Sequence, residues 1–239
     1  MTSVRVLSYN IRSLRDDPAA VARVVRAVGP DVACLQEVPR FWGWRAQRRR
    51  LARDCGMHIA AGRRACGVAV LAAPHVRRVT REFHLLTPAP DLHRRALAIA
   101  VLEFGQGDDR TRLIAASTHL DLATGPRHRH TGEVLALLDQ AQRRYEAPVV
   151  LTGDINEEPG GPSWSLLAER FQDGFAVAPA GAELTFSARD PRRRIDGVFA
   201  DPSIEVVGCG VPEDDKVPAV DLLLATDHRP VLADLRITA

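Results

Sequence analysis

Eight polar residues stand where apolar runs stop, and their types are those that handle phosphate and hard cations. Asp154 and Asn156 close the run Val149-Val150-Leu151-Thr152-Gly153, which reads as a strand covered on both faces. Asn10 ends the run Val4 to Tyr9, and Glu37 ends Val32-Ala33-Cys34-Leu35-Gln36. His119, with Asp121 close behind it, ends Leu113-Ile114-Ala115-Ala116-Ser117-Thr118. Asp196 lies in the apolar setting Ile195 to Phe199, where a buried carboxylate needs a partner, and Asp227-His228 precede the apolar run Val231 to Ile237. Six separated strand ends thus supply four carboxylates, two amides and two imidazoles. Oxygen donors of this kind suit Mg²⁺, or Mn²⁺ in its place, with waters and a substrate phosphate completing the shell. Zinc is disfavoured because the histidines lack close pair spacing. No serine or cysteine sits in a nucleophile turn, so metal-assisted attack by water is favoured over a covalent enzyme intermediate.

The elements that must position these groups alternate between strand and helix at the start. After the first strand, Asp17 is placed to cap a helix with Pro18 in its first turn, and Val21, Val24, Val25 and Val28 recur at helical spacing until Gly29-Pro30. Strand, helix, strand predicts a right-handed crossover that brings Asn10 and Glu37 to one sheet edge. Phe41 to Asp54 reads as a surface helix with Trp42 and Trp44 packed inward; the alternative is a basic, aromatic face, Arg48 to Arg50 included, for nucleic acid or a phospholipid headgroup. Met57–Ala60, Gly67–Leu71, Val76–Leu86 and Arg95–Phe104 read as a β-meander. Thr124 to Arg144 forms a helix whose first turns carry Arg127-His128-Arg129-His130, cations that oppose the helix dipole.

The whole chain of 239 residues, 46% hydrophobic and 26% charged, suits one globular domain, 1–239, with a sizeable core. Net charge is only +2, and the arginine bias, with Lys216 the single lysine, predicts no partner by itself. Cys34, Cys55, Cys66 and Cys209 are scattered without metal spacing and read as reduced and structural. No charged leader and no run of apolar residues long enough for a membrane span is visible, so a cytoplasmic, monomeric protein is expected.

The ordered set Tyr9-Asn10, Gln36-Glu37, Thr118-His119-Leu120-Asp121, Gly153-Asp154-Ile155-Asn156, Arg194-Ile195-Asp196 and Thr226-Asp227-His228-Arg229-Pro230 resembles the endonuclease/exonuclease/phosphatase superfamily over nearly the whole chain. The resemblance implies an α/β fold, a four-layered α/β sandwich in which two mixed, mainly antiparallel sheets pack face to face with helices outside. It also implies that Glu37 is the principal magnesium ligand, with Asn10 and Asp227 as further direct or water-mediated ligands. Asp154 would orient and activate water, Asn156 and His119 would donate to phosphoryl oxygens, and Asp196 would hold His228 beside the phosphate. Arg95, Asp121 and Arg194 are candidates at the substrate phosphate. Ile155, Thr226 and Gly197 depart from the commoner family residues without removing a catalytic group. No tryptophan lies near Arg194-Ile195-Asp196, which separates the chain from the family's abasic-site nucleases and leaves it nearer the bacterial hydrolases and lipid phosphodiesterases.

The expected function is a Mg²⁺-dependent phosphohydrolase, a phosphodiesterase before a monoesterase. A DNA nuclease is the second reading, and it requires Arg48–Arg50, Arg127–His130 and Arg192–Arg194 to share one face with the site. A catalytically silent binding module on the same fold is the third, and no catalytic group is missing to support it.

Overall fold

The structure, a computed structural model, describes residues 1–107, 110–213 and 216–238. Its described residues form two six-stranded sheets. The first contains β1 (Thr2–Asn10), β2 (Val32–Gln36), β3 (His58–Gly62), β4 (Ala69–Ala72), β11 (Ile204–Gly210) and β12 (Val231–Ile237), in the order β11-β12-β1-β2-β4-β3. The second contains β5 (Arg77–Leu85), β6 (Ala96–Phe104), β7 (Thr111–His119), β8 (Val149–Asp154), β9 (Gln172–Asp173) and β10 (Asp196–Ala200), in the order β5-β6-β7-β8-β10-β9. Each sheet is antiparallel except for one parallel pair, β1 with β2 and β7 with β8. Those two pairs are joined by crossover helices, α1 (Pro18–Val28) and α3 (Thr124–Tyr145), as parallel neighbours require.

The layers follow from strand alternation. In β1, Val4 and Val6 point between the sheets while Leu7 and Tyr9 point to the helices. The central core takes Val32, Cys34, Ala98, Ala100, Leu113, Ala115, Val150, Val198 and Ala233 from both sheets. Outside the first sheet, α1, α2 (Trp44–Asp54) and α6 (Ala219–Ala225) cover Leu7, Tyr9, Ala33 and Leu35. Outside the second, α3 and α4 (Pro162–Arg170) cover Ile99, Ile114, Leu151 and Phe199. The short α5 (Gly174–Val177) packs beside β10 and β11. This is the four-layered sandwich expected. The local signals also hold at α1, where the Asp17 carboxylate accepts from the amides of Ala19 and Ala20 at 2.8 and 3.1 Å and Gly29 ends the helix at φ +54.

Two expectations are corrected. The meander is split between sheets: β3 and β4 pair with β2 in the first, β5 and β6 with β7 in the second, because the turn after β4 passes the chain across the core. Trp42 is not packed inward; it is 96% exposed, since it lies in the turn before α2 and escapes the helical spacing that was assumed to bury it. The three basic clusters, which the nuclease reading requires on one face with the site, are each divided. Each sends one arginine inside: Arg48 to the carbonyls of Pro39 and Arg63, Arg127 to Glu157, and Arg194 to Asp173. All four cysteines are free and buried. Among the described residues no helix is long and apolar enough to cross a membrane.

Candidate active site

Along β1, β2, β7, β8 and β10 the face between the sheets changes from apolar to polar towards one end. Val4 and Val6 give way to Ser8 and Asn10, Cys34 to Gln36, Ala115 to Ser117 and His119, and Val150 to Thr152 and Asp154. The two parallel crossovers put the C-terminal ends of β1, β2, β7 and β8 together, as ligand-binding ends of such units are. The antiparallel β12 and β10 add the segments at their starts, so His228 and Asp196 arrive at the same end. In register, Asp154 lies beside His119 on one side and beside Asp196 on the other.

Asp154 is the centre of the group. Asn10 Nδ2 donates to its Oδ2 at 2.9 Å, and the imidazole Nε2 atoms of His119 and His228 lie 3.4 and 3.7 Å from the same oxygen. His228 Nδ1 is 2.9 Å from Asp196 Oδ2, which fixes the ring, and Phe186 packs on it with centroids 4.9 Å apart. Asp196 is itself held by Thr185, whose hydroxyl oxygen accepts from the amides of Ile195 and Asp196 at 3.1 and 3.3 Å. Asn156 sits at φ +56, a region an asparagine tolerates, and its Nδ2 reaches Leu120 O at 3.0 Å and His119 Nε2 at 3.1 Å.

The two imidazoles are pushed in opposite directions. Burial drives His119 down to about 4, against the attraction of Asp154, and Arg95 adds to the fall. Burial would lower His228 as well, but the charge and hydrogen bond of Asp196, with Asp154 and Asp227, outweigh it and push the ring up to about 10. One neutral and one cationic imidazole therefore flank a single carboxylate, the separation of protonation states that acid–base sites use.

Glu37 is half-buried on the wall of the same cleft, with Asn10 Nδ2 3.4 Å from its Oε1. Its backbone is at φ +51, a conformation that costs a non-glycine residue about 1–3 kcal/mol and is kept where the surroundings over-determine it. Ser13 N donates to Glu37 O at 2.7 Å, and Val38 N to Gly67 O at 2.8 Å, which lock the turn. The cleft encloses about 390 Å³ and is lined by Glu37, Arg40, Arg95, His119, Asp154 and His228 among others. A larger concavity, about 980 Å³ between α2, β5 and α3, holds none of these groups, so chemistry rather than size selects the site.

The remaining candidates divide. Arg95 lines the cleft and donates to Asp121 at 3.2 Å, both side chains nearly buried; Asp121 therefore acts on the arginine, not on a phosphate directly. Arg194 is turned away: it pairs with Asp173 at 2.8 Å and stacks over Trp164 and Phe175, while Arg193 takes the cleft position. The alternation of the segment entering β10 explains the swap, since neighbours in an extended chain face opposite ways. Asp227 is held by Arg12 Nε at 3.2 Å at the site's edge and does not line the cleft. A buried polar layer beneath the site was missed: Gln36 Nε2 donates to Ser117 Oγ at 3.1 Å and approaches Ser8 Oγ at 3.5 Å. Its signal was present, because Ser8, Ser117 and Thr152 each stand two residues before a site residue on the same face.

Gly153 has no room for a side chain, because a Cβ there would lie 2.5 Å from the carbonyl oxygen of Thr118. Gly153→Ala is expected to part β7 from β8, costing about 1–3 kcal/mol and shifting Asp154. A thermal melt of the variant within experimental error of the parent would contradict this close approach.

Ligating atoms of Asp154, Asp196 and His228 lie within 4.8 Å of one another, the one such cluster among the described residues. The fold and this polar strand-end centre define a four-layered α/β sandwich with its carboxylates and imidazoles gathered at one end of the sheets. The sequence matches the Endonuclease/Exonuclease/phosphatase family over residues 7–228, and the chain belongs to that family. Among solved structures, the endonuclease/exonuclease/phosphatase from Bacteroides vulgatus is 21% identical, with 100% of both chains covered and a TM-score of 0.80. A mannosyl-6-phosphatase from Bacteroides thetaiotaomicron VPI-5482 is 18% identical over 98% of this chain and 100% of that one, with a TM-score of 0.81. The human Nocturnin catalytic domain with bound sulfate is 18% identical over 99% and 94%, with a TM-score of 0.74. At these identities the likeness is one of fold. No curated protein sequence matches significantly.

Proposed function

We infer that the protein is a divalent-metal-dependent phosphoric ester hydrolase, with a phosphodiester as the preferred substrate and Mg²⁺ as the metal. The observation that carries this reading is the convergence of Asn10, His119 and His228 on one carboxylate, Asp154, at the floor of a cationic cleft. The donor set fits a hard cation. Glu37 lies half-buried on the cleft wall in a strained turn, Asn10 carries an amide oxygen that accepts from Arg12 N at 3.1 Å and keeps a second lone pair, and Asp196 keeps a buried oxygen, Oδ1, with no hydrogen-bond partner. Glu37 and Asn10 are assigned as ligands in preference to the Asp154–Asp196–His228 cluster, because His228 Nδ1 is already bonded to Asp196 Oδ2 and Asp154 Oδ2 accepts from Asn10, which leaves only Asp196 Oδ1 free to face a cation. Asp227, occupied by Arg12, is left at the periphery. When bound, the metal supplies Lewis-acid neutralisation of a phosphoryl oxygen.

The chain's own groups do the rest. Asp154 orients a water and accepts its proton. His228, fixed by Asp196, presents Nε2 to the phosphoryl group. A phosphoryl oxygen that accepts from Asn156 Nδ2 takes the place of His119 Nε2 as its partner, which brings the amide donor to the developing charge. Arg95 sets the positive wall of the cleft, held by Asp121.

The test is hydrolysis of bis-p-nitrophenyl phosphate and its monoester analogue, with and without Mg²⁺. Chelation is expected to abolish turnover and added Mg²⁺ or Mn²⁺ to restore it. Glu37→Gln should raise the metal concentration needed by at least about tenfold. An undiminished rate in chelator, or an unchanged metal requirement in the variant, would sink the assignment. A nuclease reading gains no support from the arginine clusters, since each buries one of its members.

A further inference from the structure

The turn that follows Glu37 places an indole in water. Trp42 is 96% and Phe41 63% exposed, yet neither hangs on a loose end. Trp44 N donates to Phe41 O and Gln47 Nε2 to Trp42 O, both at 3.1 Å, so the entry to α2 fixes the pair outward. Large aromatic side chains are the strongest contributors to a core or interface, and a fixed, exposed pair marks a surface that meets something apolar.

The pair borders the cleft. Arg40, the residue before Phe41, lines the cleft and lays its guanidinium over the Phe41 ring, 5.3 Å from the centroid. Leu122 lines the same cleft and is 75% exposed, and exposed Leu92 adjoins His93, which lines it too. Arg15 and Arg40 line the same cleft, and exposed Arg94 adjoins His93. Among the described residues none of the three has an acidic partner, whereas Arg12 and Arg95 are paired with Asp227 and Asp121. An apolar rim interleaved with unpaired cations is complementary to a surface of anionic headgroups over acyl chains.

We propose that this rim docks the protein on an anionic phospholipid bilayer, with Phe41 and Trp42 entering the headgroup region and the cleft mouth facing the membrane. A single-stranded nucleic acid is the poorer occupant. Its bases stack on successive aromatic faces along a groove, and here the other apolar members, Leu92 and Leu122, have no π face to offer. Docking is read without turnover and stands or falls apart from the hydrolase reading.

Cosedimentation of the whole chain with vesicles of phosphatidylcholine alone, and of phosphatidylcholine mixed with phosphatidylglycerol, tests this at low salt. Binding to the mixed vesicles should be stronger by about thirtyfold, the gain for two arginines near an anionic surface, and indole emission should shift to the blue. The double substitution Phe41→Ser with Trp42→Ser should lose both signals and keep the parent's melting temperature, because both side chains are exposed. Arg94→Gln, with the aromatics intact, should weaken binding to the mixed vesicles only. Equal or absent binding of the parent to the two vesicle types would overturn the proposal. So would a blue shift that survives the double substitution, since Trp44 and Trp164 would then be its source. Preferential quenching by oligothymidylate over vesicles would transfer the surface to nucleic acid.

Discussion

Asp154→Asn is expected to lower kcat on bis-p-nitrophenyl phosphate by about 10³-fold or more and to leave the fold intact. The substitution preserves shape, and the new amide oxygen can still accept from Asn10 Nδ2, which lies 2.9 Å from Asp154 Oδ2, while the bond from the Asn156 amide to Oδ1 at 3.1 Å is given up. What disappears is the charge that faces His119 and His228 and, with it, the base proposed to take a proton from water. Because that loss concerns the transition state, kcat and kcat/KM should fall together with KM little changed. A steady-state comparison at saturating Mg²⁺, with a thermal melt alongside, separates the outcomes. Equal kcat in parent and variant would remove Asp154 from the mechanism.

The largest effect on stability is expected at Arg127 and Glu157, distant in sequence and both nearly buried. Arg127 donates from Nε and Nη2 to Glu157 Oε1 at 3.0 and 2.8 Å, and the other Glu157 oxygen accepts from the amides of Ser163 and Trp164 at 2.6 and 2.9 Å, capping α4. The pair therefore ties α3 to α4 across the loop that begins with Asn156. It also answers why cations occupy the dipole-opposed start of α3: Arg127 is there for Glu157 and for the carbonyls of Asp121 and Leu122. Arg127→Met leaves a buried carboxylate without its counter-charge, a loss of about 3–5 kcal/mol. For a chain of this size the melting temperature should drop by on the order of 10 °C. Arg127→Met combined with Glu157→Gln should recover part of that fall, since no orphan charge remains. A single variant as stable as the parent would contradict the assignment.

The same carboxyl sets a pH dependence. Burial alone would raise Glu157, but the Trp164 amide, the Arg127 guanidinium and the Ser163 amide outweigh it and hold the group below the usual glutamate value. A depressed folded-state pKa contributes stability above the unfolded value and loses it as pH falls through the folded one. The acid side of the parent's melting curve should therefore be steeper than that of Glu157→Gln.

Much of the fold was legible because its signals are local. Asp17, Pro18 and Gly29 bound α1 by capping chemistry that needs no tertiary contact, and the valines between them set its buried face. The strands β7 and β8 announced themselves as apolar runs ending in ionisable groups, and the parallel crossovers followed from strand and helix order. The meander was misread because β4 and β5 share composition and spacing whichever sheet they join; the partner strand, not the sequence of either, decides membership.

The sequence by itself determined the inventory of the candidate site. Asn10, Glu37, His119, Asp154, Asn156, Asp196 and His228 stand at strand ends, and period-two alternation sends Asn10, His119, Asp154 and Asp196 to the face between the sheets. Only the tertiary structure decided which charges meet. Three arginine clusters that read alike each contribute a buried member: Arg127 bonds Glu157, Arg194 bonds Asp173, and Arg48 bonds backbone carbonyls. Arg40 is left lining the cleft without an acidic partner among the described residues, two residues before an exposed tryptophan. A side chain's type states which partners it can accept; burial and distance, set by packing two sheets and their helices together, state which one it has.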